Sequence, residues 1–377
     1  MTILRNSPTG SYLLHKKLHL AEEDLRSPHS MAPIGNYLFD EEYFRCVALE
    51  ATALSLQRLA GAYYLFDIGE CYYHDAPIHG YLGGNMRMLQ SVYSPEDTPP
   101  IQAGVFIDID QFAGQPFRDA SKLRRVAEQE TCCALEHSGI PFRVFSARDV
   151  FHPDLELPKL VVFPLQPGFT EEQVAKLREK ARKSGTLIIW GYPLLRRPVE
   201  ALERCGFRLQ FRDDLPNRQP RLVDGGKLLG RRYRAMGSSW FQWQEGMPAS
   251  IVPEPGDTVL ATYGENGPAA IVLRDRNGAK EIFNGAPGAY SPALLRRLAG
   301  LCGAAYFSDD DSQVVSAANG FVSVLCERGG EHTFRIPDGM EITSAPTAHT
   351  FQIKDGRLTF HSKMDGETAI FQLRKVK

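Results

Sequence analysis

Residues Val161–Pro193 read VVFPLQPGFTEEQVAKLREKARKSGTLIIWGYP, and the fold class follows from them. An apolar run stops at a Pro/Gly turn. Thr170, with Glu171 and Glu172 behind it, is the N-cap and acidic first turn of a helix, and Gly185 supplies its stop. A second apolar run, TLIIWGY, begins at Thr186. Strand, helix, strand is the βαβ step of a parallel sheet.

The same alternation extends in both directions. Upstream stand the strand GVFIDID from Gly104, a helix from about Asp119 to Ser138, and the strands FRVFSA and KLVVFP. Downstream come a helix from Arg197 to Cys205 and the strand-like FRLQF. Residues 213–243 change to hairpin-like segments with a DGG turn at Asp224, an insertion or a flap. The strands TVLATY, AAIVLRD and KEIFNG and a helix from Ser291 to Leu301 can then complete the same sheet. The pattern is a doubly wound α/β domain over 101–305. The tail, 306–377, holds short alternating strands (QVVSAANGFVSVLCE, HTFRIP, TFQIKDGRLTFHSKM, TAIFQLRKV) parted by Gly and Asp turns, as in a small antiparallel β-sandwich.

Ahead of the Pro-rich link SPEDTPP (Ser94–Pro100), residues 1–98 contain one further βαβ step. The run KLHLAEED is followed by a loop from Ser27 to Gly35, a helix from Glu41 to Ala60 and the run GAYYLFDIGE. One step with a trailing helix cannot bury both faces of its strands, and residues 1–17 cannot supply the missing neighbours. Further strands and helices are therefore expected upstream.

A length of 377 residues predicts two or three units with separate cores, and the segments above divide it into three. Hydrophobic residues at 43% and charged residues at 23% are the usage of soluble globular chains. Forty-three basic against forty-five acidic residues leave a net charge of −2, which gives no broad positive field for a phosphate backbone, so no nucleic-acid partner is expected. Seven scattered cysteines form no C-x-x-C pair or zinc spacing and are read as reduced, mostly buried thiols. The ten histidines show no H-E-x-x-H pattern, and no metal is assigned. No stretch reaches the ~18 apolar residues of a membrane span, and MTILRNSPTGSYLLHKK lacks a signal peptide's apolar region. A cytoplasmic setting is the expectation.

Glu22, Glu23 and Asp24 close the first strand, where parallel barrels present their catalytic groups. Alternation turns Glu22 and Asp24 to one side and Glu23 to the other. A retaining glycosidase needs two carboxyl groups about 5–5.5 Å apart, one as nucleophile and one as acid/base. A simply solvated acidic strand end is the competing reading. Asp67, at the end of the second strand, can share a pocket with Glu22, and Arg26 can offer a bidentate contact to a carboxylate or to hydroxyls. Tyr72, Tyr73, His74 and Asp75 follow on a strand-to-helix loop and suit sugar stacking and hydroxyl recognition, or else ordinary loop packing. Trp240, Phe241 and Trp243 form an alternating aromatic stretch that suits either carbohydrate contact or strand burial.

This order of parts resembles the family 42 glycoside hydrolases, β-galactosidase-like enzymes with a catalytic barrel, a degenerate amidotransferase-like trimerisation domain and a small β domain. LHLAEEDLRS (18–27) is similar to their seventh barrel strand, where relatives read like A-E-D-D-T-R-T. The resemblance makes Glu22 the nucleophile, with Asp24 and Arg26 beside it. YYLFDIGECYYHDAPI (63–78) resembles the eighth strand and its loop, which implies substrate-binding roles for Asp67, Tyr73 and Asp75. Residues 161–193 and APGAYSPALLRRLAGLCGAAYFSDDD (286–311) are similar to the trimerisation domain. The implied architecture is a (β/α) barrel end over 1–98, a flavodoxin/class I amidotransferase-like doubly wound domain over 101–305, and a small antiparallel β-sandwich over 306–377. Glu70 and Cys71 stand where glycines are common, and Leu25 and Ser27 replace threonines.

The resemblance implies a retaining glycoside hydrolase acting on a β-galactoside-like carbohydrate, without a cofactor, as a homotrimer. The acid/base glutamate of such enzymes lies on the fourth barrel strand, which has no counterpart in this sequence, so the chain alone is expected not to hydrolyse glycosides. Two other classes stay open: a non-catalytic oligomerisation or carbohydrate-binding module, and a class I amidotransferase-like protein. The latter needs a nucleophilic cysteine on a strand-to-helix turn, and neither VFPLQPGFT nor IIWGYPLL has one. Cys132 and Cys133 fall inside a helix and read as core.

Overall fold

The computed structural model describes residues 7–23, 41–58, 61–64, 76–112, 125–192, 205–211, 220–224, 249–276, 278–286, 288 and 290–376. At its centre are the strands β3 (Ala103–Ile107), β4 (Phe142–Ser146), β5 (Leu160–Leu165), β6 (Leu187–Tyr192) and β12 (Ala279–Asn284), paired in parallel in the order β4-β3-β5-β6-β12. Every residue of β3, β5 and β6 is buried, as parallel strands covered on both faces require. Beyond β12 the sheet turns antiparallel through β11 (Ala269–Arg276), β10 (Thr258–Tyr263) and β8 (Pro220–Leu222). The segment FRLQF is β7 (Arg208–Phe211); it pairs antiparallel with β9 (Ala249–Val252), which meets β11. Most of the hairpin-like text of 213–243, and the helix expected from Arg197 up to residue 204, lie outside the described residues.

Helices cover both faces. On one, α4 (Glu130–Ser138) and α6 (Pro292–Cys302) pack Cys132, Leu135, Leu294, Leu295 and Leu298 over Val105, Val162 and Ile189. On the other, α5 (Glu171–Ser184) lays Val174, Leu177 and Ala181 over Phe163, Trp190 and Phe283. The i, i+3, i+7 spacing of those three residues puts them on one stripe. Thr170 and Gln173 form a reciprocal capping box at its start, and Gly185, at φ 65°, adopts the left-handed conformation that ends it. Arg178 of α5 reaches down to Glu281 of β12, a fully buried carboxylate that accepts from its guanidinium at 2.7 and 3.0 Å.

The C-terminal residues form two antiparallel sheets. One is β13 (Gln313–Ala318), β14 (Phe321–Cys326), β19 (Glu367–Lys375) and β16 (Met340–Ser344); the other is β15 (Gly330–Arg335), β18 (Arg357–Ser362) and β17 (Phe351–Lys354). Val322, Val324 and Phe371 from the first share a core with Phe334, Leu358 and Phe360 from the second.

At the other end, β1 (Leu20–Glu23) and β2 (Gly61–Tyr64) are a parallel pair joined across α2 (Glu41–Gln57), with α3 (Ala76–Val92) following. Leu49 and Ala53 of α2 and Leu89 and Val92 of α3 pack on Phe321 and Ile370 of the C-terminal sheet. The turn between β13 and β14 completes this joint. Asn319, at φ 53°, donates from Nδ2 to the carbonyls of Leu56 and Gln57, which capping leaves open at the end of α2. The short helix α1 (Thr9–Leu14) packs instead on β4: Gly10 lies on the Phe145 ring, and Ser11 Oγ accepts from the Ser146 amide at 2.7 Å. Among the described residues no helix is long and apolar enough to cross a membrane.

Candidate active site

The backbone of β1 and β2 runs in register, with Leu20 opposite Gly61, Ala21 opposite Ala62, Glu22 opposite Tyr63 and Glu23 opposite Tyr64. The Gly61 amide donates to the His19 carbonyl at 2.9 Å. Both strands point the same way and stay paired in register through Glu23 and Tyr64, so their C-terminal ends lie side by side. This is the end at which parallel α/β units carry their chemistry, because successive strand-to-helix loops converge there. Leu18 and Leu20 are 81% and 56% exposed, and among the described residues neither edge of the pair has a further strand.

Glu22 is the next-to-last residue of β1, directly across from Tyr63. Asp24 follows the last residue of β1, and Asp67 comes three positions after the last residue of β2. Asp24, Arg26, Asp67, Tyr73 and Asp75 lie outside the described residues, as do Glu70, Cys71, Trp240, Phe241 and Trp243. What the strand pairing brings together is therefore the two strand ends from which the predicted residues continue.

Sequence reading passed over one cluster at this end. Tyr81 in the second turn of α3 donates its hydroxyl to Glu41 at the start of α2. Arg45 donates to the same carboxylate at 3.3 Å, and its guanidinium carbon sits 3.4 Å from the centre of the Tyr81 ring. Helices α2 and α3 are thus tied to each other near their N-terminal ends. The Glu41–Arg45 spacing of four is visible in sequence, whereas the partnership with Tyr81 depends on how α3 packs on α2.

The central sheet has a second place where ligands gather in folds of this kind, the crevice beyond the strand ends where the order reverses, here between β3 and β5. It is bridged from within: Asp108, just past β3, accepts from the Gly168 amide in the turn after β5 at 3.0 Å. That turn reads Gln166-Pro167-Gly168-Phe169 and carries no thiol. Cys132 and Cys133 are 1% and 2% exposed within α4. Burial pushes the Cys132 thiol far above its ordinary range, which leaves it protonated and unreactive at neutral pH.

No family model matches the chain, and no curated protein matches it. Solved structures do. A β-galactosidase from the Antarctic haloarchaeon Halorubrum lacusprofundi superposes with a TM-score of 0.59 at 13% identity, over 96% of this chain and 55% of its own. A catalytic mutant of a GH42 β-galactosidase from G. stearothermophilus gives 0.56 at 11%, over 93% and 53%. α-L-Fucosidase isoenzyme 2 from Paenibacillus thiaminolyticus gives 0.55 at 12%, over 97% and 66%. The chain spans about half the length of the β-galactosidases it matches. At these identities the likeness is one of fold: a mixed α/β chain with a large parallel and antiparallel sheet and antiparallel β sheets, arranged as in GH42 β-galactosidases.

Proposed function

We propose that this chain is the C-terminal portion of a retaining, β-galactosidase-like glycoside hydrolase, with Glu22 as its nucleophile. The observation that carries this reading is the parallel, in-register β1–β2 pair, which sets Glu22 across from Tyr63 in the strand that precedes Asp67 in the chain. The fold shared with GH42 β-galactosidases over most of the chain supports it. Residues 1–98 are then the end of a (β/α) barrel. The order of the parallel strands, 2-1-3-4-5 along the chain, supports a flavodoxin/class I amidotransferase-like domain over 101–305, a trimerisation unit without amidotransferase chemistry. The two facing antiparallel sheets support a β-sandwich over 306–377.

In the first step Glu22 attacks the anomeric carbon of a β-galactoside-like substrate while an acid/base carboxyl group, on a strand outside this sequence, protonates the leaving oxygen. Water then releases the sugar from the covalent ester. Asp24, Arg26, Asp67, Tyr73 and Asp75 hold the sugar hydroxyls and face. Two carboxyl groups suffice for both steps, so no cofactor is needed.

The test joins the chain to an upstream barrel half and measures hydrolysis of an aryl β-galactoside. Glu22→Ala should lower kcat/KM by at least ~10³-fold, and azide should restore turnover with formation of the α-glycosyl azide. Unchanged hydrolysis in Glu22→Ala removes the assignment.

A further inference from the structure

A cavity of about 50 Å³ lies where four segments meet. They are the end of α2 (Gln57, Arg58), the link around Thr98, the passage from α4 into β4 (Glu136 to Arg143), and β13. Most of its polar lining is committed. Arg58 donates to Glu136 at 2.8 Å, Gln57 Nε2 donates to the carbonyls of Ser316 and Phe321, and the Thr98 hydroxyl bonds Asn319. Arg143 is different. It lines the same cavity and is only partly exposed, yet among the described residues its guanidinium makes no hydrogen bond or ion pair. A half-buried guanidinium without a protein acceptor has donors to offer a ligand, and its fork matches pairs of oxygens on carboxylate- and phosphate-type oxyanions.

We propose that this junction cavity is a binding site for one small inorganic oxyanion of the phosphate or sulfate class, held by Arg143. The volume suits this ligand: it exceeds the ~10–15 Å³ that a single water needs and falls far short of the ~300 Å³ at which sites for whole organic ligands begin. With Arg58 offset by Glu136, the local charge is that of Arg143 alone, so an anion meets net attraction. Burial lowers the pKa of Arg143, and an anion beside it would reverse that direction. Because α2, the link, the central sheet and the C-terminal sheet all border the cavity, occupancy would stiffen the contact among them. The inference does not depend on the glycosidase reading.

Calorimetric titration of the 377-residue chain with inorganic phosphate, at ionic strength balanced with chloride, tests it. We expect saturable one-to-one binding and a phosphate-dependent rise in Tm that chloride does not give. In Arg143→Met the affinity should fall about tenfold or more, while Arg143→Lys should retain part of it. Arg148→Met, at an exposed arginine paired with Asp110, should leave affinity unchanged. In phosphate-free buffer Arg143→Met should be at least as stable as the wild type. Absence of saturable binding up to about 10 mM, or equal weakening by Arg148→Met and Arg143→Met relative to wild type, overturns the proposal. If Arg143→Met does not fold, wild-type binding together with undiminished binding in Arg143→Lys would also overturn it.

Discussion

Asp257 and Arg274 show how a single buried contact sets stability in the antiparallel half of the central sheet. Arg274 is 4% exposed, donates to both Asp257 oxygens at 2.7 Å and to the Gly206 carbonyl at 2.6 Å, and lies over the Phe207 ring. Burial alone would raise the Asp257 carboxyl, but the Arg274 hydrogen bonds and the Glu254 amide outweigh it and hold the group below its ordinary range. A carboxyl group lowered in the folded state contributes stability that is complete above the unfolded pKa, about 3.9, and is lost as pH falls through the folded value. Asp257→Asn should cost roughly 1–3 kcal/mol at pH 7, since the buried guanidinium then keeps only the Glu254 carboxylate at 3.2 Å and the Gly206 carbonyl. Its stability, followed by urea unfolding from pH 7 to pH 2, should also fall less steeply below pH ~4 than that of the wild type. Parallel acid limbs in the two proteins would show that the pair does not govern this window. Glu281 makes a related point about prediction. Within the strand KEIFNG its carboxylate is fully buried and accepts from Arg178 and Trp190. Only the arrival of α5, a hundred residues earlier in the chain, makes that burial possible.

The turn joining β13 to β14 acts on an element distant in sequence. Asn-Gly is a hairpin signal because both residues tolerate positive φ, and here Asn319 and Gly320 adopt φ of 53° and 88°. The same asparagine caps α2, some 260 residues upstream, and accepts from the Thr98 hydroxyl in the link. Asn319→Gly keeps the backbone conformation and removes the side-chain bonds, leaving the last carbonyls of α2 buried without their donor. It should cost roughly 1–3 kcal/mol, read as a lower midpoint in urea. Asn319→Ala adds backbone strain and should cost more than the glycine change. If Asn319→Gly is as stable as the wild type, the helix end does not depend on this cap. Of these parts both βαβ steps were legible in the sequence, since caps, stops and apolar runs are local signals, whereas QVVSAANGFVSVLCE reads as one strand segment and folds as the β13–β14 hairpin. The docking of α2 and α3 on Phe321 and Ile370 was not legible, because an apolar helix stripe does not name the surface that will cover it.

At the scale of the whole molecule the resemblance bears on assembly. The trimer implied by resemblance is a proposal about the domain at 101–305, and it predicts a solution particle near three times the 42.1 kDa chain mass. Light scattering coupled to size exclusion, over a hundredfold range of concentration, checks it. A monomer of constant mass throughout that range would set aside the trimerisation role and leave the Glu22 assignment untouched. Within one chain the parts already behave as a joined body. α2 and α3 lie on the C-terminal sheet, Arg58 bonds Glu136 of the central domain, and α1 reaches across to β4.

By itself the sequence determined the classes of the parts and their order: a βαβ step with an acidic strand end, a central α/β sheet, and short antiparallel strands at the tail. These rest on periodicity, capping and turn chemistry, which act over a few residues. Tertiary structure alone decided the β4-β3-β5-β6-β12 order, the register that sets Glu22 opposite Tyr63, the enclosure of Glu281, and the capping of α2 by Asn319. Each of those joins segments far apart in the chain, where the deciding energy is burial and hydrogen bonding between surfaces that no local pattern specifies.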